Sequence, residues 1–204
     1  MSFAQVIPLA FVMVAGPQIL SSIFLATSES WKRNSALFVF GASLSITTVT
    51  TISYLLGNGA SDGGSDTPSW LYWVIIVLLL GAMLHTYLTR GQSDPPKWMG
   101  DLENADPKFS FKLGFLLLGV FPTDILTSFS VGAYMTSHDK PWTDGLGFIL
   151  LTVLFLALPA LAILAFGDRA ERALPKVRNW MNNNSWVVNE VVFALFVLLT
   201  ASNL

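Results

Sequence analysis

Asp124 is the acidic side chain set deep inside an apolar stretch of this 204-residue chain. It stands in Pro122-Thr123-Asp124-Ile125-Leu126-Thr127-Ser128, and a near-copy, Gly16-Pro17-Gln18-Ile19-Leu20-Ser21-Ser22, stands in the first apolar stretch. A carboxylate within a bilayer costs several kcal/mol unless it is paired, protonated or hydrated, so Asp124 is a functional candidate by default. Its counterpart in the first copy is the neutral Gln18, which leaves one protonatable group per chain. Gln18, Ser21, Ser22, Thr127 and Ser128 are expected as its neutral hydrogen-bond partners. The chemistry within reach of such a set is proton coupling or the binding of a small polar group. The competing account is a protonated acid bonded to those hydroxyls for helix packing.

Each copy opens on a proline. Proline removes one backbone hydrogen bond and clashes with the preceding turn, so the break survives in lipid only where protein or water satisfies the freed carbonyls. Proline is also favoured at the first position of a helix, so a second half-helix is expected to start at Pro17 and at Pro122, its positive dipole end facing the break. Such a centre suits an anionic group on the N–H side and a proton or cation on the carbonyl side. Matching Pro-interrupted segments in two halves point to a transporter binding site. The candidate substrate- or ion-binding residues are therefore Pro17, Gln18, Ser21, Ser22, Pro122, Thr123, Asp124, Thr127 and Ser128.

The elements that must position these residues are membrane helices. The chain is 53% hydrophobic and 12% charged, about half the charged fraction of a soluble domain, and its mean hydropathy is +0.59. Six apolar segments, approximately 3–27, 35–57, 69–88, 111–136, 145–167 and 186–204, are each close to the roughly 20 helical residues that cross a hydrocarbon core. The expected fold is all-α and integral to the membrane. Met1 to Gln5 carries no Lys or Arg, unlike the n-region of a cleavable signal, so the first segment is expected to be retained.

The halves superpose as an inverted repeat, one over 1–88 and one over 111–204, joined by a linker at 89–110 in a single membrane domain. Gln18 aligns with Asp124 once Thr123 is treated as an insertion, Gly57 matches Gly167, and Trp70 matches Trp186. Three helices per half bring the second half in from the opposite face. Pro17 falls about 21 Å and Pro122 about 16 Å along their helices at 1.5 Å per residue, so the breaks are expected to meet near the midplane.

Ten of the 11 Lys and Arg residues fall in loops 28–34, 89–112 and 168–185, leaving Lys140 for the other two. The positive-inside rule places those three loops in the cytoplasm of a multi-pass plasma-membrane protein, with both termini outside. Loop 168–185 spaces Ala170, Leu174, Val177 and Met181 at three and four residues among Arg169, Arg172, Lys176 and Arg178. That is an amphipathic basic segment suited to lipid-surface contact, with Pro175 expected to limit its helix. It serves either as a surface elbow or as a specific headgroup site. The Gly/Ser/Asp-rich loop 58–68 and the near-neutral loop 89–110 with Trp98 are read as linkers.

In the second segment the hydroxyls of Ser43, Ser45, Thr47, Thr48, Thr50, Thr51 and Ser53 are expected to pack helices, with lining of a polar path as the alternative. Pro159 is expected to break the fifth segment as a hinge or kink. Glu190 is expected to snorkel to the interface or gate entry. Cysteine is absent, which excludes disulfides and thiol chemistry. His85 and His138 lack metal-ligand spacing, and no GxSxG, HExxH, P-loop or final-segment Lys is present, so neither cofactor, metal nor enzymatic activity is expected. The net charge of −2 gives no reason to expect nucleic acid.

The runs Ala15-Gly16-Pro17-Gln18-Ile19, Lys112-Leu113-Gly114, Phe121-Pro122-Thr123-Asp124-Ile125-Leu126, Leu158-Pro159-Ala160, Gly167-Asp168-Arg169-Ala170 and Leu174-Pro175-Lys176-Val177-Arg178-Asn179-Trp180 together resemble the GAP/Sap family of glycopeptidolipid- and sulfolipid-addressing proteins. That family is placed in the LysE superfamily, and the chain is similar to its haloarchaeal members over essentially its whole length. The resemblance implies six helices in two three-helix repeats, a homodimer, and export or delivery of a lipid to the cell surface. With the paired Pro17/Pro122 centre, the chain is expected to be a secondary exporter of a small polar or lipid-linked substrate working by alternating access, or alternatively a non-transporting accessory protein of a larger lipid-export complex. Where actinobacterial members carry Ser-Pro this chain has Gly16-Pro17, and it lacks the paired cysteines of electron-carrying relatives.

Overall fold

A computed structural model describes residues 3–59, 69–88, 102 and 105–201. The expectations for loop 58–68, beyond its first two residues, and for most of loop 89–110 lie outside the described residues. Helices α1 (Phe3–Val14) and α2 (Pro17–Ala26) form one bent pair, and α5 (Pro107–Val120) and α6 (Pro122–Ser137) form another. Between and after them run α3 (Trp31–Gly59), α4 (Ser69–Leu88), α7 (Leu146–Phe166), α8 (Asp168–Asn183) and α9 (Ser185–Ala201). Two helices are long and apolar enough to cross a membrane, and the bent pairs, each taken as one span, raise the number to as many as four. The described chain is all-helical.

The second half-helices start where proline chemistry predicts, at Pro17 and Pro122. The resulting bends are nearly equal, 67° and 68°, but are reached differently. Gly16 sits at φ 97°, ψ −136°, a region open essentially to glycine. At the second break a single residue, Phe121, turns the chain in an extended conformation at φ −64°.

The core is built around α3, which packs on α5, α6 and α7. Its approach to α5 is backbone to backbone. A Cβ on Gly41 would meet the Phe111 carbonyl, and one on Gly114 would meet the Phe38 carbonyl. Small residues are what let membrane helices close to that distance. The α3 hydroxyls bind other neighbours: Ser53 donates to the Phe129 carbonyl of α6 at 2.6 Å, and Thr51 accepts from the Trp142 indole, between α6 and α7, at 3.1 Å. Phe38, Ile46, Leu118, Val131, Phe148 and Leu156 close the apolar centre. Helices α4 and α9 pack chiefly on one another.

The ends of the molecule differ in charge. Asn34 donates to the Ser28 hydroxyl and to the Ala105 carbonyl, both at 2.9 Å, and Ala26, Ile163 and Ala170 cluster with Trp31 and Leu174. These contacts gather residues 28–34, the start of α5 and helix α8, and hence the basic residues flanking them, at one end. Lys140 follows α6 at the other, near Trp142.

Two expectations about proline need correction. α7 continues through Pro159 and α8 through Pro175. In α7 the Ser22 hydroxyl donates to the Leu156 carbonyl, so a neighbouring helix supplies a donor in the turn that proline disturbs. In α8 the affected residue, Glu171, is exposed, where solvent can satisfy its carbonyl.

Candidate functional site

The two breaks meet through their aligned polar residues. Gln18, in the first turn of α2, donates from Nε2 to Oδ2 of Asp124, in the first turn of α6, at 2.5 Å. The residues are 106 apart in sequence and only 2% and 1% exposed. The other amide atom, Oε1 of Gln18, is buried without a hydrogen-bond partner and points toward Gly16, where an added Cβ would lie 3.5 Å away. A buried acceptor left open beside a buried carboxyl can receive a hydrogen bond from a ligand N–H or O–H or from a water.

The backbone around each proline is arranged as helix termini. On the first side the helical ladder begins with Leu20 N–H to the Gly16 carbonyl at 3.3 Å, so the amides of Gln18 and Ile19 precede it. On the second side the amides of Asp124 and Ile125 turn back onto the Phe121 carbonyl at 3.1 and 3.0 Å. The α2 terminus is therefore the one whose N–H groups lead the ladder, and α6 satisfies Asp124's own amide internally.

The hydroxyls do not ring the carboxyl as expected. Ser21 donates to the Pro17 carbonyl at 2.6 Å and Thr127 to the Thr123 carbonyl at 2.7 Å, each one turn back on its own helix. Ser22 faces Leu156, and Ser128 lies 3.9 Å from the Met13 sulfur. All four are buried. They satisfy and knit the half-helices around the breaks, while Gln18 reaches Asp124. Pro17 is half-buried, and Pro122 and Thr123 are exposed.

Helix α8 carries the other predicted group. Ala170 is buried, Leu174 joins the cluster beneath it, and Met181 packs on the main core. Arg169, Arg172 and Lys176 are exposed. Arg178 instead lies 4.3 Å over the Phe24 ring, a cation–π contact that ties α8 to α2. Glu190 is half-buried on α9, with its Oε1 buried without a hydrogen-bond partner.

Two features were not anticipated. Asn34, fully buried and bonded to the Ala105 carbonyl, ties loop 28–34 to the end of the linker before α5 at the basic end; an amide between Lys32-Arg33 and an apolar segment was the available signal. The second is an apolar cleft of about 430 Å³ beside the first break, lined by Ala15, Ile19, Leu158, Val177, Trp180 and Val188 among others. Its lining comes from five helices, so no local pattern marks it.

Comparison with known proteins adds one match. The family model described as "Sap, sulfolipid-1-addressing protein" covers residues 6–203. No curated protein and no solved structure matches the chain.

Proposed function

The chain belongs to the Sap, sulfolipid-1-addressing protein, family, and from that premise we propose that it is a secondary membrane transporter that exports a small polar or lipid-linked substrate. The family name and the apolar helices support a membrane role in lipid export or addressing. The family is not known for enzymatic activity. In this reading the chain crosses the bilayer six times as two inverted three-helix repeats, with the basic end in the cytoplasm and both termini outside. It works as a homodimer.

One observation carries the reading: two proline breaks from different parts of the chain converge on a buried Gln18–Asp124 hydrogen bond with an open acceptor beside it. An open acceptor in a low-dielectric interior costs free energy until a donor meets it, and here it stands beside a buried carboxyl. Asp124 binds the substrate or the coupling proton, Gln18 completes the pair, and Pro17 and Pro122 hold the helix ends that face each other. Ser21, Ser22, Thr127 and Ser128 keep the half-helices in place. Alternating access then rocks the two bent helices about this contact.

The test is lipid or solute efflux from proteoliposomes. Asp124→Asn keeps the shape and removes the charge and the titratable proton. It is expected to abolish transport and its pH dependence while the protein remains folded. Unchanged transport would sink the proposal and favour the accessory role in a larger lipid-export complex.

A further inference from the structure

The apolar cleft ends beside an exposed lysine: Lys176 lies on α8 next to Val177 and one turn from Trp180, both of which line it. Its inner wall is Phe11, Val14, Ala15 and Ile19 from α1 and the first break, with Phe155 and Leu158 from α7. Its outer wall is α9, through Val187, Val188 and Val191, and its rim is α8, through Val177, Trp180 and Met181. Every lining residue is apolar, and about 430 Å³ lies within the roughly 300–1,000 Å³ of typical small-molecule sites.

The rim carries the second observation. Arg169, Ala173, Lys176 and Trp180 follow one another at intervals of four, three and four residues along α8, which places them in one stripe on the helix. Trp180 lines the cleft and Lys176 is exposed one turn before it, while Arg169, exposed two turns further along the stripe, borders a second apolar pocket with Ala173 and Leu174. Asp168 and Glu171 fall outside this stripe, on other flanks. Hydrocarbon space ending at a tryptophan and a lysine, with an arginine further along the same stripe, matches the profile of one molecule: an apolar chain below, an anionic group above.

We propose that the cleft is a lateral slot for one acyl chain of an anionic membrane lipid, its phosphate held by Lys176 and Arg169 and its chain reaching the first break. This deepens the transport reading, because Ala15 and Ile19 bring the slot to the side of Gly16-Pro17-Gln18. A lipid entering from the basic leaflet meets the paired centre without crossing water. The site is distinct from the Gln18–Asp124 contact, so binding and transport can be lost separately.

The experiment uses the full chain in phosphatidylcholine nanodiscs containing trace phosphatidylglycerol with a photoreactive diazirine in its acyl chain, and phosphatidylcholine bearing the same chain as comparison. Adducts are mapped by mass spectrometry. Phosphatidylglycerol is expected to label cleft residues such as Leu158, Val188 and Val191 in preference to phosphatidylcholine. Arg169→Gln with Lys176→Gln is expected to weaken that labelling about fivefold for each cation removed, leaving phosphatidylcholine unchanged. Val188→Trp, which fills the slot, is expected to remove it; if that variant does not fold, the exposed Arg169/Lys176 pair still decides. Labelling spread equally by both lipids over outward-facing Leu44, Leu116 and Leu126 would mean annular lipid only and overturn the proposal, as would an unchanged preference in the double variant. Asp124→Asn keeps the labelling if the slot is real. Labelling without transport in the parent protein would overturn the transport reading alone, and transport without cleft labelling would overturn the slot alone.

Discussion

At the scale of single residues, the protein hinges on the amide of Gln18 and the carboxyl of Asp124, 2.5 Å apart and both buried. Removing one partner strands the other, which costs about 1–3 kcal/mol, whereas removing both can be nearly neutral. Gln18→Leu is therefore expected to lower stability by about that amount in thermal unfolding, and Gln18→Leu with Asp124→Leu to recover most of it. Transport should be lost in both. Recovery of stability without recovery of transport separates a functional centre from a packing contact. A double variant that transports like the parent would leave the pair only a packing role.

At the scale of elements, equal bends rest on unequal chemistry. Gly16 holds a backbone conformation that side chains resist, so Gly16→Ala is expected to cost about 1–3 kcal/mol. Phe121 sits in an ordinary extended conformation, and Phe121→Ala should keep the second bend. Unfolding midpoints of the two variants check this; equal losses would mean that the turn at Gly16 relaxes. The α3–α5 crossing makes a parallel prediction. Gly114→Ala drives a methyl into the Phe38 carbonyl, backbone that cannot swing aside, and overpacking of this kind costs about 1–3 kcal/mol. Gly147, with nothing within 4 Å of an added Cβ, is the control: Gly147→Ala is expected to be neutral or mildly stabilising through helix propensity.

At the scale of the whole molecule, charge and fold agree on a direction. Residues 28–34, the start of α5 and α8 share one end through Asn34–Ala105 and the Ala26–Ile163–Ala170 cluster. In the proposed topology this end is cytoplasmic. A chain without cysteine permits single reporters on a clean background. Lys140→Cys is expected to react with a membrane-impermeant maleimide from outside intact cells, and Arg172→Cys only after permeabilisation. The reverse pattern would invert the proposed orientation.

Composition and local pattern determined that the protein is helical and membrane-embedded, that half-helices begin at Pro17 and Pro122, that Gln18 corresponds to Asp124, and that the 168–185 segment is amphipathic. Each of these depends on hydropathy, on helical period or on proline's missing N–H, all properties of neighbouring residues. Only the tertiary structure decided that Gln18 and Asp124 touch, that Ser21 and Thr127 turn to their own helices instead, that α7 and α8 run through Pro159 and Pro175, and that five helices enclose a cleft. Whether a hydroxyl bonds its own helix or a carboxyl across the core depends on which partner stands at hydrogen-bonding distance. That distance is set by long-range packing, such as the backbone contact of Gly41 and Gly114 with α5 and α3, and no window along the chain contains it.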